Sequence, residues 1–585
     1  MLKLSAVRLH GWTTEVLCHL VILLMLLPIG AELAEPGYPI AHDRQVPYMR
    51  VYELQKALAQ GQIPPRWFED FDGGYGSPYP TFYGMGFYYL ALGFHILGAN
   101  IGEAIEMAIF SVFLLAAFGM YWLLRSLGNR QSGLIGAALY TYAPYHLYDG
   151  FERGAYSELA AFLWFPLVLL GVIGWFRSSR DRHFVLGATS VAGLMLTHNL
   201  MPLMFLPFAV LISTVEILGI PATSAQLRKK ILGMGSIFAV AFSVAGYKMV
   251  PILVEGKYVR LDNFLYYDYR GDFLRAKDLL GLNPSIPSGL QIGRVQLLIL
   301  LIAVVVIFRN KDRIRSLPSA IAGGLVAALF CTFLITPASN TIWSMVPVLA
   351  YIQFPWRYLA VLAFSIALAG GLSLGMVRRP LLRSGLVMLI PLAAYLAAAR
   401  FVSTPNARSD IHIDPPTICQ EVWLTQDYRP VYSHAAFWRG LRPPVSEGAI
   451  VPMRCPEHSP RVIAGTSRIV SYTRQGMDWL LQYQAAEASE VAIDQIYFPG
   501  WQAYVDGKDL PISPDPETGI VTVRVPPGEG SIRIAYHRTG ARIAGEALSA
   551  FTLLASVLVL LTRTGRHLLR PRKAKSDAGS SAPQS

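Results

Sequence analysis

Long runs of apolar residues, separated by short polar segments, fill most of the first 400 positions and recur near the C-terminus. The runs at 13–33, 295–308 and 547–561 are nearly free of charged residues. Each approaches the ~20 apolar residues that a helix needs to cross a bilayer. The pattern predicts a polytopic α-helical membrane protein.

About twelve spans follow from the apolar runs and from the positions of the cations. Basic clusters lie between the runs, at 125–130, 177–182, 228–230, 309–315, 378–383 and 563–575. Short basic loops mark the cytoplasmic side of a membrane protein. All of these clusters share that side only if 82–98 does not cross, so we predict that this Gly- and Tyr-rich segment lies at the outer surface. The predicted spans are 13–33, 104–124, 132–148, 157–176, 183–199, 201–219, 231–251, 291–308, 316–336, 355–376, 383–400 and 542–562.

This topology divides the chain into a membrane core and outward segments. The core is 1–400, with outer loops at 34–103 and 252–290, and an outward domain at 401–541 precedes the last span, 542–562. The first span is predicted to be a retained anchor, because the region before Glu35 lacks a small-x-small cleavage site. Both termini are then cytoplasmic, and the basic tail, 563–585, is predicted to be disordered.

The outward domain changes from an irregular to an alternating pattern. Apolar and polar residues alternate at 491–498, 501–505, 519–525 and 531–537, and Asp506-Gly507 and Pro527-Gly528 supply turns. The pattern predicts a β-sandwich-like module that is β-rich from about position 488. Cys419 and Cys455 both fall in this domain, where oxidation is permitted, so we predict a disulfide between them, two separately buried thiols being the alternative.

Composition supports the membrane assignment and excludes one class of partner. Of the residues, 53% are hydrophobic and 15% are charged, whereas soluble proteins carry about 25% charged residues. The formal charge of +12 is spread over short loops, and no basic patch is interleaved with aromatic residues on a soluble face. We therefore expect the lipid bilayer as a partner and no nucleic acid.

Several motifs resemble one family of bacterial membrane proteins. They are PPRWFEDFDGGYGSPYPTFYG (64–84), ERGAYSELAAF (152–162), LTHNLMPLMFLPF (196–208), QFPWRYLAV (353–361) and YFPGWQAYVDG (497–507). The chain is similar over almost its whole length to proteins labelled as a 6-pyruvoyl-tetrahydropterin synthase-related membrane domain, which resemble YfhO-like proteins and GT-C glycosyltransferases in layout. Pterin chemistry is not expected, because a pterin synthase is a small soluble fold with a histidine-bound zinc and the intramembrane His198 is solitary.

The GT-C resemblance implies a glycosyltransferase that uses a polyprenyl-phosphate sugar at the outer face of the bacterial cytoplasmic membrane. Such an enzyme needs an acid that deprotonates the acceptor or holds a divalent metal ion, Mg²⁺ or Mn²⁺. It also needs cations for the leaving phosphate and an apolar groove for the prenyl chain.

The acid that similar enzymes keep beyond the first span matches Asp43. We predict a catalytic role for Asp43, with His42 as a metal ligand or proton partner; the alternative is an N-cap for a helix beginning near Arg44. Glu152 and Glu158 are further catalytic candidates, and Arg153 is a candidate ligand of the donor phosphate. The alternative there is a solvated loop held by a Glu152–Arg153 or Arg153–Glu158 ion pair.

Two further candidate sites carry polar or charged side chains and lie at the outer ends of predicted spans. His198 and Asn199 end an apolar helix, where polar residues are costly and often functional, so we predict that they bind substrate; structural hydrogen bonding is the alternative. Arg357 follows Phe354-Pro355-Trp356. It is predicted to clamp the donor phosphate, the alternative being an arginine that snorkels to lipid headgroups.

Two other functions remain open at the level of the sequence. A transporter or flippase of a lipid-linked glycan predicts ionisable residues deep in several spans and an inverted repeat, and both signals are weak here. A non-catalytic cell-envelope assembly protein would use the β module as its interaction surface. That function predicts that Asp43 is dispensable.

Overall fold

The computed structural model describes residues 2–39, 41–43, 46–219, 223–261, 268–309, 319–377, 379–403, 408–409, 428–433 and 459–568. The first 403 positions are mostly helical, and antiparallel strands follow from 461 to 536. The α-helices are α1 (Leu2–Leu33), α2 (Val46–Ala59), α3 (Tyr79–Phe82), α4 (Gly86–Ile96), α5 (Ile101–Leu127), α6 (Arg130–Thr141), α7 (Pro144–Tyr148), α8 (Tyr156–Ser178), α9 (Asp181–Thr197), α10 (Leu200–Leu218), α11 (Ser224–Val244), α12 (Gly246–Glu255), α13 (Ala276–Leu279), α14 (Arg294–Arg309), α15 (Ser319–Ile335), α16 (Asn340–Met345), α17 (Leu359–Gly375), α18 (Pro380–Ala398), α19 (Arg400–Ser403) and α20 (Gly540–Leu568).

Several of these helices are long and apolar enough to cross a membrane. Within the described residues there are six, or up to eight if each of two bent pairs is counted as one span. The six are Trp12–Leu33, Ile101–Leu127, Tyr156–Ser178, Leu200–Leu218, Pro355–Gly375 and Gly540–Thr562. The polytopic membrane class is confirmed, while the count of about twelve spans, the inner-membrane location and the cytoplasmic termini stay predictions.

The two bent pairs interrupt their spans at a sharp angle. The axis turns by 78° between α11 and Gly246–Tyr258, and by 86° between α15 and Pro337–Met345. Two shorter apolar helices, Arg294–Val305 and Ser384–Ala398, match the predicted spans at 291–308 and 383–400. The predicted span 132–148 is not one continuous helix. The 12-residue α6 ends at Thr141, and the chain then turns into α7.

The segment predicted not to cross, 82–98, holds the short helix α4. Its 11 residues extend over roughly 16 Å, about half of the hydrocarbon thickness. The segment packs tightly against the end of α9, since an ideal Cβ on Gly84 would lie 2.2 Å from the carbonyl oxygen of Thr197. The capping box of Asn100 and Glu103 then starts the long span α5.

Single-cysteine labelling tests this topology. Ile63→Cys and Leu97→Cys, placed at exposed positions before and after α4, should react with an impermeant thiol reagent from the same side of the membrane. Ser126→Cys, at the other end of α5, should react from the opposite side. All three variants are made in a chain whose native cysteines are replaced by serine. If Ile63→Cys and Leu97→Cys label from opposite sides, α4 crosses and the charge-based topology is wrong.

The described residues from 461 to 536 form two antiparallel sheets, and a two-stranded sheet joins residues 38–39 to 408–409. The strands are β1 (Tyr38–Pro39), β2 (Arg408–Ser409), β3 (Arg461–Ala464), β4 (Arg468–Gln475), β5 (Asp478–Ala485), β6 (Ser489–Ile496), β7 (Trp501–Val505), β8 (Lys508–Leu510), β9 (Ile512–Pro514), β10 (Ile520–Val525) and β11 (Gly528–Tyr536). The orders are β3-β6-β10-β9 and β4-β5-β11-β7-β8, and β1 pairs with β2. The four predicted strands are present, as is the Asp506-Gly507 turn between β7 and β8. The predicted start near 488 is too late, because the sheets begin at Arg461.

The sheets are fixed to the membrane core by buried polar contacts. Arg542, at the start of α20, is fully buried and donates to Glu255 at the end of α12, with Nη2 to Oε2 at 3.0 Å. Trp67 in the first outer loop donates through Nε1 to Gln495 of β6 at 2.9 Å. The β module is thus packed on the loop 60–84 as well as joined to its flanking spans.

Candidate functional site

The segment that follows α1 meets the turn before α8 through two backbone hydrogen bonds. The N–H of His42 donates to the carbonyl of Glu152 (2.9 Å), and the N–H of Asp43 donates to the carbonyl of Arg153 (3.1 Å). These bonds fix the backbone of Asp43 against the 149–158 loop. Residues 42 and 43 and the 149–158 loop are far apart in the chain and are therefore brought together by the fold.

The 149–158 loop has an unusual backbone. Asp149–Arg153 form a π-helix, a rare conformation that is frequent at functional sites. It ends at Gly154, whose φ of 74° lies in the left-handed region. An ideal Cβ on Gly154 would lie 2.8 Å from the Cβ of Ala41, so glycine permits both the turn and the approach of residues 41–43.

Gly154→Ala should therefore loosen this junction. A left-handed non-glycine residue and a close contact together are expected to lower the free energy of unfolding by roughly 1–3 kcal/mol. Thermal unfolding in detergent measures the change. Gly256→Ala is the matched control, because its φ is −56° and nothing lies within 4 Å of its ideal Cβ. Equal stability of the two variants would show that the junction does not depend on Gly154.

Two carboxylates and two guanidiniums form a buried cluster behind this turn, which we call the acid–arginine cluster: Asp149, Arg153, Glu158 and Arg357. Arg153 Nη1 donates to Asp149 Oδ1 (2.9 Å) and to Glu158 Oε2 (2.7 Å). Arg357 Nε lies 3.3 Å from Glu158 Oε2. Tyr145 donates its hydroxyl to Glu158 Oε1 (2.6 Å). The predicted Arg153–Glu158 ion pair exists, but it is buried rather than solvated.

Arg357 turns inward rather than toward lipid. It lies on the 3₁₀-helix Pro355–Tyr358 and is 8% exposed. Its Nη1 donates to the carbonyl of Ile352 (2.7 Å), and its guanidinium stacks over Phe354. The interpretation of Arg357 as a snorkelling residue is therefore wrong, because its charge faces Glu158 in the interior.

Asp149 is the member of the cluster that local sequence does not distinguish from an ordinary loop acid. It is fully buried, and its Oδ2 has no hydrogen-bond partner in the described part of the chain. Burial raises the pKa of Asp149 well above its usual range and the neighbouring Glu158 raises it further, although Arg153 opposes both. Asp149 is thus suited to hold a proton, a role that only its long-range contacts reveal.

The remaining predicted acids lie at the edge of the cluster. Asp43 is half-buried and close enough to Arg153 for their charges to interact. Glu152 is half-buried and interacts with Arg400 and His42. Burial raises the pKa of Glu152 above its ordinary value, although Arg400 and His42 oppose the shift. The helix α2 begins at Val46, whose N–H donates to the carbonyl of Asp43, so Asp43 lies three residues before the helix rather than next to its first residue.

The metal hypothesis gains no support from geometry. His42 is exposed and its ring lies edge-on to Tyr148. Among the described residues, no group of three or more His, Cys, Asp or Glu side chains is placed to hold a metal ion. A metal ion bound through His42 and Asp43 therefore stays a prediction.

His198 and Asn199 have structural partners at the break between α9 and α10. His198 Nδ1 accepts hydrogen bonds from the N–H groups of Leu200 (3.0 Å) and Met201 (3.2 Å). Its proton is therefore on Nε2. Asn199 Nδ2 donates to the carbonyl of Phe82 and the hydroxyl of Tyr428. A substrate contact by either residue stays a prediction. The predicted Cys419–Cys455 disulfide and the tail beyond 568 lie outside the described residues.

Comparisons with known proteins give one family and weak likenesses. The family model described as "6-pyruvoyl-tetrahydropterin synthase related domain; membrane protein" matches residues 80–405, more than half of the chain. An uncharacterized protein of Lactococcus lactis subsp. cremoris (strain MG1363) is 22% identical over 267 residues, which are 44% of this chain and 42% of that protein.

Two solved structures of the mycobacterial arabinofuranosyltransferase AftD are also similar. The first is 17% identical, with a TM-score of 0.43, and the match covers 68% of this chain and 27% of that one. A mutant form is 17% identical, with a TM-score of 0.40 and coverage of 66% and 27%. This chain thus spans about two fifths of the lactococcal protein and about a quarter of the arabinofuranosyltransferase.

Proposed function

The chain belongs to the family of membrane proteins described as 6-pyruvoyl-tetrahydropterin synthase related, and we propose that it is a membrane glycosyltransferase that uses a polyprenyl-phosphate sugar at the outer face of the cytoplasmic membrane. One observation carries the proposal. The half-buried acid Asp43 is held by backbone bonds beside a buried cluster of two carboxylates and two guanidiniums. A partly exposed base next to fixed cationic donors is what transfer from a phosphate leaving group requires.

In the proposed step, the Asp43 carboxylate accepts the proton of an acceptor hydroxyl. The acceptor oxygen then bonds to C1 of the sugar, the C1–O bond to phosphate breaks, and its electron pair stays on the phosphate oxygen. The products are the glycoside and polyprenyl phosphate. Asp43 suits the role of base because it is partly exposed, unlike the fully buried Asp149 and Glu158.

The acid–arginine cluster supplies directed donors rather than net charge. Within the described part of the chain, the Arg153 side chain donates hydrogen bonds through Nη1, which leaves Nε and Nη2 for the leaving phosphate. Both predicted phosphate ligands, Arg153 and Arg357, nevertheless face the carboxylates Asp149 and Glu158. The two carboxylates offset part of the charge of the two guanidiniums, and with a proton on Asp149 one positive charge is left for the phosphate.

A cleft beside the site is suited to the acceptor. It has a volume of about 1000 Å³ and lies between the end of α1, the end of α4 and the start of α5. Tyr38, Tyr48 and Phe94 give it aromatic walls, and Glu103 and Glu106 place carboxylates at its rim. Aromatic faces with a few polar groups are the usual lining of small-ligand sites. Tyr38 also neighbours Tyr156, at the start of α8, so one wall of the cleft adjoins the 149–158 loop.

A vesicle experiment separates transfer from transport. The full chain is reconstituted into liposomes that contain a fluorescent polyprenyl-phosphate sugar in both leaflets, with a soluble acceptor outside. The proposal predicts free polyprenyl phosphate and a glycosylated acceptor. Movement of the lipid between leaflets with the C1–O bond intact would favour the flippase instead, and unchanged lipid in both leaflets would favour the assembly protein.

A further inference from the structure

Two buried cations beside the acid–arginine cluster have no carboxylate partner among the described residues. Arg50 on α2 is 5% exposed and Lys248 on α12 is 3% exposed. Neither makes a salt bridge within the described part of the chain, whereas other buried cations such as Arg66, Arg153 and Arg542 each contact a carboxylate. A buried charge is normally paired, because removing it from water is costly. The two unpaired cations are therefore exceptions that need a reason.

Neutral groups surround both cations. The Arg50 guanidinium lies over the rings of Tyr79, Tyr83 and Tyr88, at 5.0, 4.4 and 5.4 Å from their centroids. Its Nη1 donates to the Tyr88 hydroxyl (2.6 Å), and its Nε has no partner among the described residues. Lys248 Nζ donates to the carbonyl of Tyr83. Since a guanidinium has five N–H groups and an ammonium three, donors remain on both side chains.

The pair adjoins the proposed reaction centre. Tyr83 contacts both cations, and its ring also lies 6.4 Å from the ring of His198. His198 in turn interacts electrostatically with Glu158, Arg357 and Lys248. Ser157, one residue before Glu158, donates to the carbonyl of Gly84 (3.1 Å). Tyr83 is half-buried, whereas Arg50, Lys248 and His198 are buried. Tyr83 is therefore the residue of this set that is partly exposed at the protein surface.

We propose that Arg50 and Lys248 form an anion site that holds the phosphate of a prenyl-phosphate ligand. The inference rests on the proposed function and deepens it, since the acid–arginine cluster has donors but only one surplus positive charge. A phosphate between Arg50 and Lys248 receives the positive charge of Arg50 and N–H donors from both side chains, and its own negative charge favours the protonated form of Lys248. The prediction that Arg357 is the main phosphate ligand is replaced by a division of roles: Arg50 and Lys248 anchor the ground state, and Arg153 and Arg357 contact the oxygen that becomes free.

Ligand-dependent melting of the purified full chain tests the site without any transfer reaction. The probes are farnesyl phosphate, inorganic phosphate and uncharged farnesol, each titrated against the melting temperature in detergent. Farnesyl phosphate should raise the melting temperature, and farnesol should not. Stabilisation by farnesyl phosphate alone identifies a lipid headgroup as the ligand. Stabilisation by inorganic phosphate as well shows that the site accepts any phosphate.

Arg50→Gln and Lys248→Met should each weaken binding of farnesyl phosphate at least tenfold. Without ligand, both variants should melt no lower than the wild type, because each loses a buried unpaired charge. Lys257→Met and Arg270→Gln, which remove exposed cations, are the matched controls and should bind normally.

Retained binding in both variants would overturn the proposal. Lost binding together with a lower melting temperature of the free protein would also overturn it, because the cations would then be structural. If the wild type binds farnesyl phosphate but transfers no sugar, the proposed function fails and the anion site stands. If it transfers sugar while Arg50→Gln and Lys248→Met bind normally, only the anion site fails.

Discussion

Asp43→Asn is expected to lower sugar transfer by roughly 10²–10⁴-fold, the usual contribution of a general base. Asparagine has the shape of aspartate but cannot accept the acceptor's proton at neutral pH. The backbone bonds of residues 42 and 43 to residues 152 and 153 do not involve the carboxylate and should persist. The melting temperature and the affinity for the donor should therefore stay near the wild-type values.

The matched control is Asp506→Asn, an exposed aspartate with φ of 48° in the turn between β7 and β8, where asparagine is well tolerated. It should transfer sugar at the wild-type rate. If Asp43 served only to start a helix, Asp43→Asn would be nearly silent as well, because asparagine caps helices about as well as aspartate. A fully active Asp43→Asn protein would move the catalytic role to Glu152 or Glu158.

Glu158→Gln should have the largest effect on stability. Glu158 is 1% exposed and contacts Arg153, Arg357 and Tyr145. Breaking a buried ion pair by removing one partner costs about 3–5 kcal/mol, because an uncompensated charge stays buried. Chemical denaturation in detergent should show a loss of this size, with Glu490→Gln, at an exposed position of β6, as the control.

A second substitution distinguishes charge from shape in this cluster. Glu158→Gln combined with Arg357→Gln should be more stable than the sum of the two single changes predicts, since no unpaired charge remains there. Additive losses would indicate that Glu158 and Arg357 act independently. Glu158→Gln as stable as Glu490→Gln would contradict the account of the cluster as a set of coupled ion pairs.

The membrane class and the strand positions were predictable because both depend on local patterns. Apolar runs such as 13–33 and 355–376 correspond to helices that can span a bilayer, and alternation at 519–525 corresponds to β10. The start of the sheets was missed although β5 carries the same signal: Trp479, Leu481 and Tyr483 are buried, and the residues between them are exposed. The interruptions of spans at Ala245 and Thr336 were missed although Gly246 and Pro337, which follow them, are local signals of a helix boundary.

The site was only partly predictable, because its properties come from contacts between distant segments. Asp43, Glu158 and Arg357 could be selected one by one from their places at the ends of spans. Whether Arg357 faces lipid or protein depends on Glu158, about 200 positions away in the chain. The roles of Asp149 and Arg50 depend in the same way on neighbours that no local pattern specifies.

Incubation of the purified full chain with a panel of polyprenyl-phosphate sugars and an acceptor, followed by mass spectrometry of the lipid, tests the central claim most directly. The account predicts that the wild-type protein converts at least one donor into free polyprenyl phosphate and a glycosylated acceptor. Asp43→Asn should bind the same donor and leave it intact. Recovery of every donor intact from the folded wild-type protein, or equal conversion by Asp43→Asn, would contradict it.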